Sequence, residues 1–115
     1  MFRFENLEIW QEAIKFSNLI YGITNQFPQK ELFGLSSQLN RASVSISANI
    51  AEGSASATNK EFKMFLGFAI RSGVEVVSEL FIAKERGYIN QENFNNLYII
   101  GELLIKRITA FKNCL

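Results

Sequence analysis

The chain has no histidine and no aspartate, and it contains one cysteine and one proline among its 115 residues. Without histidine it lacks the commonest general base and the commonest metal ligand of proteins. A single cysteine, Cys114, excludes an intramolecular disulfide and a thiol-rich metal site, and is typical of a reducing compartment. The sequence therefore predicts no metal site and no cofactor.

Long apolar runs and an excess of charge are also missing. No segment approaches the ~20 consecutive apolar residues that a membrane helix requires, and the first residues carry Glu5 and Glu8 where a signal peptide would carry an apolar run. The formal charge of +1, from 12 Lys and Arg and 11 Glu, is no bulk signature of nucleic-acid or membrane binding. We expect a cytoplasmic protein in which any nucleic-acid binding depends on uneven placement of charge.

Apolar residues are abundant, at 48% of the composition, and they recur at helical intervals. Steps of three and four residues are typical of a helix that faces a core. In the first segment the stripe consists of Ile9, Ala13, Phe16, Ile20, Ile23 and Phe27. Pro28 ends this segment because the residue before a proline is disfavoured in the α region. The first predicted helix spans about residues 7–27.

Three further helices carry their own start and stop signals. The second begins at residues 29–31 and ends near residues 53–55, where apolar character is lost. Thr58 and Glu61 have the spacing of a capping box that starts the third helix, and Gly87 is typical of a helix C-terminus. Asn90 can cap the fourth helix, which runs to the end of the chain.

Four helices with short connections predict an all-α fold, an antiparallel up-down-up-down four-helix bundle forming a single domain over residues 1–115. The first, third and fourth helices carry more apolar positions than the three in seven that a bundle core needs. Exposed apolar patches usually mark association. We therefore expect a homo-oligomer.

Polar residues in and opposite the serine- and alanine-rich second helix form the first candidate site: Arg41, Asn49, Glu52 and Glu75. Two carboxylates could form an acid/base pair, and a hydrolase using Glu52 and Glu75 is one hypothesis. Nothing in the sequence supplies a nucleophile, a metal cluster or a phosphate-binding glycine loop for it. We interpret the four residues as a structural polar network that fixes helix register, and predict no enzymatic activity.

Basic residues form the second candidate site: Lys60, Lys63, Arg71, Lys84, Arg86, Lys106 and Arg107. Interspersed glutamates are typical of a solvated helix, and cations near a helix C-terminus complement its dipole. An oligomer, however, repeats even a modest basic patch in each subunit and multiplies its contacts with phosphates. These seven residues are therefore the candidate nucleic-acid-binding residues.

Several motifs fall in the order of one known family. They are Phe4-x-x-Leu7 before Trp10, Phe27-Pro28 with Glu31, Arg41-x-x-x-Ser45-Ile46-x-Ala48-Asn49-Ile50-Ala51-Glu52-Gly53, and Gly87-Tyr88-Ile89. With them the chain resembles, nearly end to end, the 23S rRNA-intervening sequence proteins, also labelled S23 ribosomal proteins. It departs from the family pattern at Ser47, where proline is usual, and after Gly53, where a basic residue is often found. The second departure weakens any transfer of nucleic-acid binding through that loop.

The resemblance implies a bundle that assembles as a ring-like homopentamer and has no enzymatic activity. It also implies kinship with accessory proteins of diversity-generating retroelements, which bind reverse transcriptase and nucleic acid. The leading hypothesis is a non-catalytic oligomer that binds structured RNA or an RNA–protein complex. The alternative is a protein-interaction scaffold that docks a partner enzyme, such as a reverse transcriptase, without nucleic-acid affinity of its own. Neither hypothesis involves a membrane or a small-molecule substrate.

Overall fold

A computed structural model describes all 115 residues. It contains four α-helices and no strand: α1 (Glu8–Thr24), α2 (Leu35–Ser54), α3 (Asn59–Glu85) and α4 (Gln91–Asn113). Single 3-10 turns at Arg3–Asn6 and Gln29–Glu31 precede α1 and α2. No helix has the combination of length and hydropathy needed to cross a membrane.

The helices form an elongated bundle of 44 × 24 × 21 Å. Helix α1 packs on α2 and α4, and α3 packs on the same two helices, whereas the diagonal pairs lie apart. Every connection therefore joins neighbouring helices, as short loops require. The predicted antiparallel up-down-up-down four-helix bundle is confirmed.

The core is built from the predicted apolar stripes. Its fully buried side chains include Phe16, Ile20, Leu39, Ile46, Ile50, Phe62, Leu66, Val76, Leu80 and Ile108. At the end of α2 a Cβ on Gly53 would lie 2.7 Å from Cβ of Phe65 and 2.8 Å from Cδ1 of Phe62. Only glycine lets α2 approach the first turns of α3 so closely, because any side chain there would overlap the ring of Phe62 and the Cβ of Phe65.

The predicted helix boundaries around α3 and α4 are confirmed by their hydrogen bonds. The amide of Glu61 donates to Thr58 Oγ1 at 3.2 Å, although the reciprocal bond of a capping box, from the Glu61 carboxylate, is not formed. The amide of Asn93 donates to Asn90 Oδ1 at 2.8 Å. Gly87 has a φ of 77°, which is the left-handed conformation that favours glycine at a helix C-terminus.

The predicted C-terminus of the first helix and the predicted N-terminus of the second are wrong by several residues, whereas the second helix ends at Ser54, as predicted. Helix α1 stops at Thr24, and the chain then turns so that Phe27 still reaches the core. Helix α2 begins at Leu35 rather than near residue 30, because the Glu31 carboxylate accepts a hydrogen bond from the Leu35 amide at 3.1 Å and acts as its cap. The hydroxyl of Tyr88 donates to the same carboxylate at 2.8 Å and holds the pKa of Glu31 below its ordinary value.

Candidate nucleic-acid interface

A basic groove lies where the first turns of α3 meet the last turn of α4. Because the two helices are antiparallel, Lys112 near the end of α4 is brought beside Lys60 and Lys63 near the start of α3. The groove has a volume of about 500 Å³ and is lined by Thr58, Lys60, Glu61, Lys63, Met64 and Lys112. Three cations thus surround one open cavity with a single carboxylate. We call this cavity, with its six lining residues, the basic groove.

The three lysines of the basic groove have no anionic partner within the chain. The only two salt bridges are Lys106 with Glu102 and Arg107 with Glu12. The N-terminus of α3 adds the partial positive charge of unpaired backbone amides. The groove therefore offers its charge to an external anion such as a phosphate.

Lys112 extends across α3 because no side chain stands in its way. A Cβ on Gly67 would lie 3.8 Å from the Lys112 ammonium nitrogen, which is ordinary contact distance. The flexible lysine stem can thus lie over the helix with its charge at the groove. Lys112 does not belong to the predicted set of binding residues, since its sequence position suggests only a cation that complements the α4 dipole. The predicted antiparallel pairing of α3 with α4 was the signal that could have placed Lys112 beside Lys60 and Lys63.

The other predicted basic residues do not join this groove. Lys84 lies at the opposite end of α3, with its ammonium nitrogen 4.4 Å from the ring centroid of Phe94 and 5.5 Å from that of Phe81. Arg86 is exposed just beyond α3, and Arg71 is exposed on the outside of the same helix. The seven predicted residues are thus spread over several surfaces, and only Lys60 and Lys63 share one cavity.

Two predicted binding residues near the end of α4 are occupied by intramolecular ion pairs. Lys106 lies 3.8 Å from Glu102 one turn earlier. Arg107 donates a hydrogen bond to the Glu12 carboxylate of α1, and this bond raises the pKa of the guanidinium. Both pairs are exposed, so they contribute little to stability, but they reduce the free positive charge on this part of the surface.

The predicted polar network does not form from its four predicted members. Asn49 donates to the backbone carbonyl and the hydroxyl of Ser45, at 2.8 and 3.0 Å, and Ser72 donates to the same hydroxyl at 2.9 Å. The side-chain hydrogen bond between α2 and α3 therefore joins Ser45 and Ser72. The amide of Asn49 instead binds Ser45 within its own helix. Three other members remain exposed and lie outside this network: Arg41, Glu52 and Glu75.

A buried carboxyl group that the sequence analysis missed lies one turn beyond Glu75. Glu79 is only 7% exposed, and its Oε1 has no hydrogen-bond partner. Burial, with a smaller contribution from the neighbouring charge of Glu75, raises the pKa of Glu79 to about 7. In the sequence Glu79 resembles the other glutamates of a solvated helix. Its spacing of three residues from Val76 and four from Ala83, both fully buried, was the available signal.

An apolar groove also lies between α3 and α4, farther along the bundle. It encloses about 500 Å³ and is lined by Val74, Val77, Ser78, Phe81, Tyr98, Glu102, Ile105 and Lys106. Phe81 packs edge-on against both Phe94 and Tyr98.

No group of three or more acidic, cysteine or histidine residues is placed to hold a metal ion.

Sequence comparison assigns the chain to a family. A sequence model of the 23S rRNA-intervening sequence proteins matches residues 5–110. The chain belongs to the 23S rRNA-intervening sequence protein family. The family assignment predicted from the motifs is thereby confirmed. No protein of curated function matches the chain in sequence.

A solved structure supports the fold of this family member. It is the 1.70 Å crystal structure of a protein of unknown function from the S23 ribosomal protein family of Bacteroides thetaiotaomicron VPI-5482. The two structures align with a TM-score of 0.84 at 20% sequence identity, over 90% of this chain and 97% of the other. At this identity the likeness shows the shared bundle. The binding surfaces of this 23S rRNA-intervening sequence protein must therefore be inferred from its own side chains.

Proposed function

We propose that this 23S rRNA-intervening sequence protein is a non-catalytic homo-oligomer that binds structured RNA through the basic groove. The observation that carries the proposal is the convergence of Lys60, Lys63 and Lys112 on one cavity in which none of the three forms a salt bridge within the chain. Lysine ammonium groups bind backbone phosphates as point charges and need no particular base sequence. The groove thus suits the phosphates of a folded RNA.

Self-association strengthens this proposal. Large apolar side chains are exposed on several helices, among them Leu19, Val74, Phe81, Ile99 and Leu103. Surfaces of this kind favour association between copies. An oligomer would present the basic groove once per subunit, so that several weak phosphate contacts combine on one RNA.

The test is fluorescence anisotropy of a labelled, structured rRNA fragment over a salt series. We expect log affinity to fall linearly with log salt concentration. The triple variant K60Q/K63Q/K112Q should bind at least about tenfold more weakly and should reduce the salt slope by about 2–3, since each lost phosphate contact contributes about 0.7–0.9.

The matched control is K15Q/K30Q/R86Q, which also removes three cations and changes the formal charge from +1 to −2. None of these residues lines the basic groove. This variant should therefore retain most of the RNA affinity and most of the slope of log affinity against log salt concentration. Equal losses in both triple variants would show that net charge, rather than the groove, governs binding. Absence of binding even at low salt would contradict the RNA proposal.

The apolar groove between α3 and α4 favours a second candidate function, a scaffold that docks a partner protein. Its walls are formed by Val74, Val77, Phe81, Tyr98 and Ile105, and such a channel suits an amphipathic helix of a partner enzyme. Binding of a purified retroelement reverse transcriptase, measured by biolayer interferometry with V74E as the variant, tests this function. Weaker binding of the reverse transcriptase by V74E, together with no RNA binding by the wild type, would favour the scaffold function.

A further inference from the structure

The turn between α1 and α2 presents two adjacent apolar side chains to solvent. Leu32 is 54% exposed and Phe33 is 93% exposed. Single apolar residues on a surface are ordinary, but a phenylalanine that almost no atom of its own chain covers adds nothing to the core. We call Leu32 and Phe33 the loop knob.

The loop knob is held in place by the contacts of the residues that flank it. The Glu31 carboxylate accepts hydrogen bonds from the Leu35 amide at 3.1 Å and from the Tyr88 hydroxyl at 2.8 Å. A Cβ on Gly34 would lie 2.8 Å from Oε1 of the same carboxylate, so a side chain there would displace it. The backbone on both sides of the loop knob is thereby fixed, which lowers the cost of ordering the turn when it meets a partner.

A groove of about 630 Å³ runs between α1 and α4 at the same end of the bundle. These two helices pack on each other less closely than any other neighbouring pair, and a Cβ on Gly22 would meet no atom within 4 Å. Half of the residues that line the groove are aliphatic: Leu19, Ile23, Leu97, Ile99 and Ile100. We call this cavity the α1–α4 groove. The loop knob of the same chain does not line it, so the groove is open to another molecule.

The polar groups of the α1–α4 groove match those of the loop knob. Apart from Gly22, the other lining residues carry uncharged carboxamide groups that form no hydrogen bond within the chain: Asn18, Gln26, Asn93 and Asn96. Asn49 and Asn95, in contrast, are bound to groups of their own helices. In the loop knob, the carbonyls of Leu32 and Phe33 and the amide of Phe33 take part in no backbone hydrogen bond. A carboxamide both donates and accepts, so the groove can bind these groups while its aliphatic residues cover the two side chains.

We propose that the loop knob of one copy of this chain inserts into the α1–α4 groove of a second copy. This inference rests on the homo-oligomer part of the proposed function and deepens it by naming the two surfaces that meet. Neither surface carries an ionisable side chain, so no charge is buried when they come together. The two surfaces thus agree in apolar character, in hydrogen-bonding groups and in charge.

The contact is head-to-tail, because each copy offers its loop knob to one neighbour and its α1–α4 groove to the other. Knob and groove lie at the same end of the bundle and on different sides of it, so successive copies can point the same way along one axis. Such contacts close into a ring when the rotation between copies permits, in agreement with the ring-like homopentamer that the family resemblance implies. The basic groove lies at the opposite end of each bundle and stays open to RNA.

The test is sedimentation velocity of two glutamate variants, F33E and I99E, alone and mixed. The wild type should form a closed assembly of more than two subunits. Each variant should associate at least about tenfold more weakly, because a carboxylate would be buried against aliphatic side chains. An equimolar mixture should stop at a one-to-one dimer. The intact knob of I99E can enter the intact groove of F33E, whereas the two altered surfaces carry like charges.

The matched control is I82E, which places the same charge at a 49% exposed position outside both surfaces and should leave association unchanged. Circular dichroism checks that every variant is folded. A wild type that stays monomeric would overturn this contact together with the homo-oligomer proposal. An assembly indifferent to F33E or to I99E would overturn this contact alone, and so would a mixture that stays monomeric or grows beyond the dimer. RNA binding is judged from the anisotropy measurements, so failure of the RNA proposal and failure of this contact are distinguishable.

Discussion

The first turns of α3 have two sides that differ sharply in packing. On the side of α2, Gly53 brings the helices so close that an added Cβ would lie 2.7 Å from Phe65. On the side of α4, a Cβ on Gly67 would meet only a lysine ammonium at 3.8 Å, and the basic groove opens beside it. The closed side fixes how the helices pair. The open side leaves charged groups free to bind a ligand, because nothing in the bundle uses them.

Substitution of the two glycines tests this contrast most strongly. Gly53→Ala should destabilise the fold by about 2 kcal/mol, since the added methyl would lie 2.7 Å from Cβ of Phe65 and 2.8 Å from the buried ring of Phe62. Gly67→Ala is the matched change on the open side and should stabilise the fold by about 0.5–1 kcal/mol, because alanine is the better helix former and finds room there. Chemical denaturation of both variants measures the two differences. Similar changes in the free energy of unfolding at the two positions would show that the two sides of α3 do not differ in packing.

Helix α3 also contains the buried Glu79, whose titration should appear in the pH dependence of stability. Its pKa of about 7 in the folded chain is above the ordinary value of 4.5. Between these pH values the unfolded chain loses the proton first, so this group lowers stability as pH rises from about 4.5 to about 7, and the loss is complete above 7. The shift corresponds to at most about 3 kcal/mol, and we expect about 2 kcal/mol because solvent screens part of the charge.

Comparison of Glu79→Gln with the wild type isolates this group from the other carboxyls. The two proteins should have similar free energies of unfolding near pH 4.5, and the variant should be more stable by about 2 kcal/mol at pH 8. Denaturant titrations at both pH values measure the difference. A constant difference between pH 4.5 and pH 8 would show that the pKa is not raised.

The elements that the sequence predicted correctly are those set by local chemistry. Thr58, Gly87 and Asn90 mark helix ends through bonds and angles within a few residues, and the apolar stripes depend only on helical periodicity. The start of α2 was mispredicted because Glu31 is held by Tyr88, which is distant in sequence.

The candidate sites were harder to predict because they depend on pairing between helices. Lys60 and Lys63 could be grouped from their spacing, but Lys112 joins them only through the packing of α4 on α3. Periodicity likewise does not reveal that Arg107 is bound to Glu12 on α1, or that Glu79 is enclosed. Charged residues in a helical sequence thus predict much of the helix surface. They do not predict which of those side chains lack an oppositely charged partner in the fold.

The smallest expected effect concerns the serine contact on the closed side. Ser72→Ala removes the 2.9 Å hydrogen bond to the Ser45 hydroxyl, which still accepts a bond from Asn49. We expect a loss of about 0.5–1 kcal/mol, the usual net contribution of one hydrogen bond. Ser78→Ala, an exposed position of the same helix, corrects for the higher helix propensity of alanine. If Ser72→Ala proved as stable as Ser78→Ala in denaturation, the contact would not help to fix the pairing of α2 with α3, which would then rest on Gly53 and the apolar core.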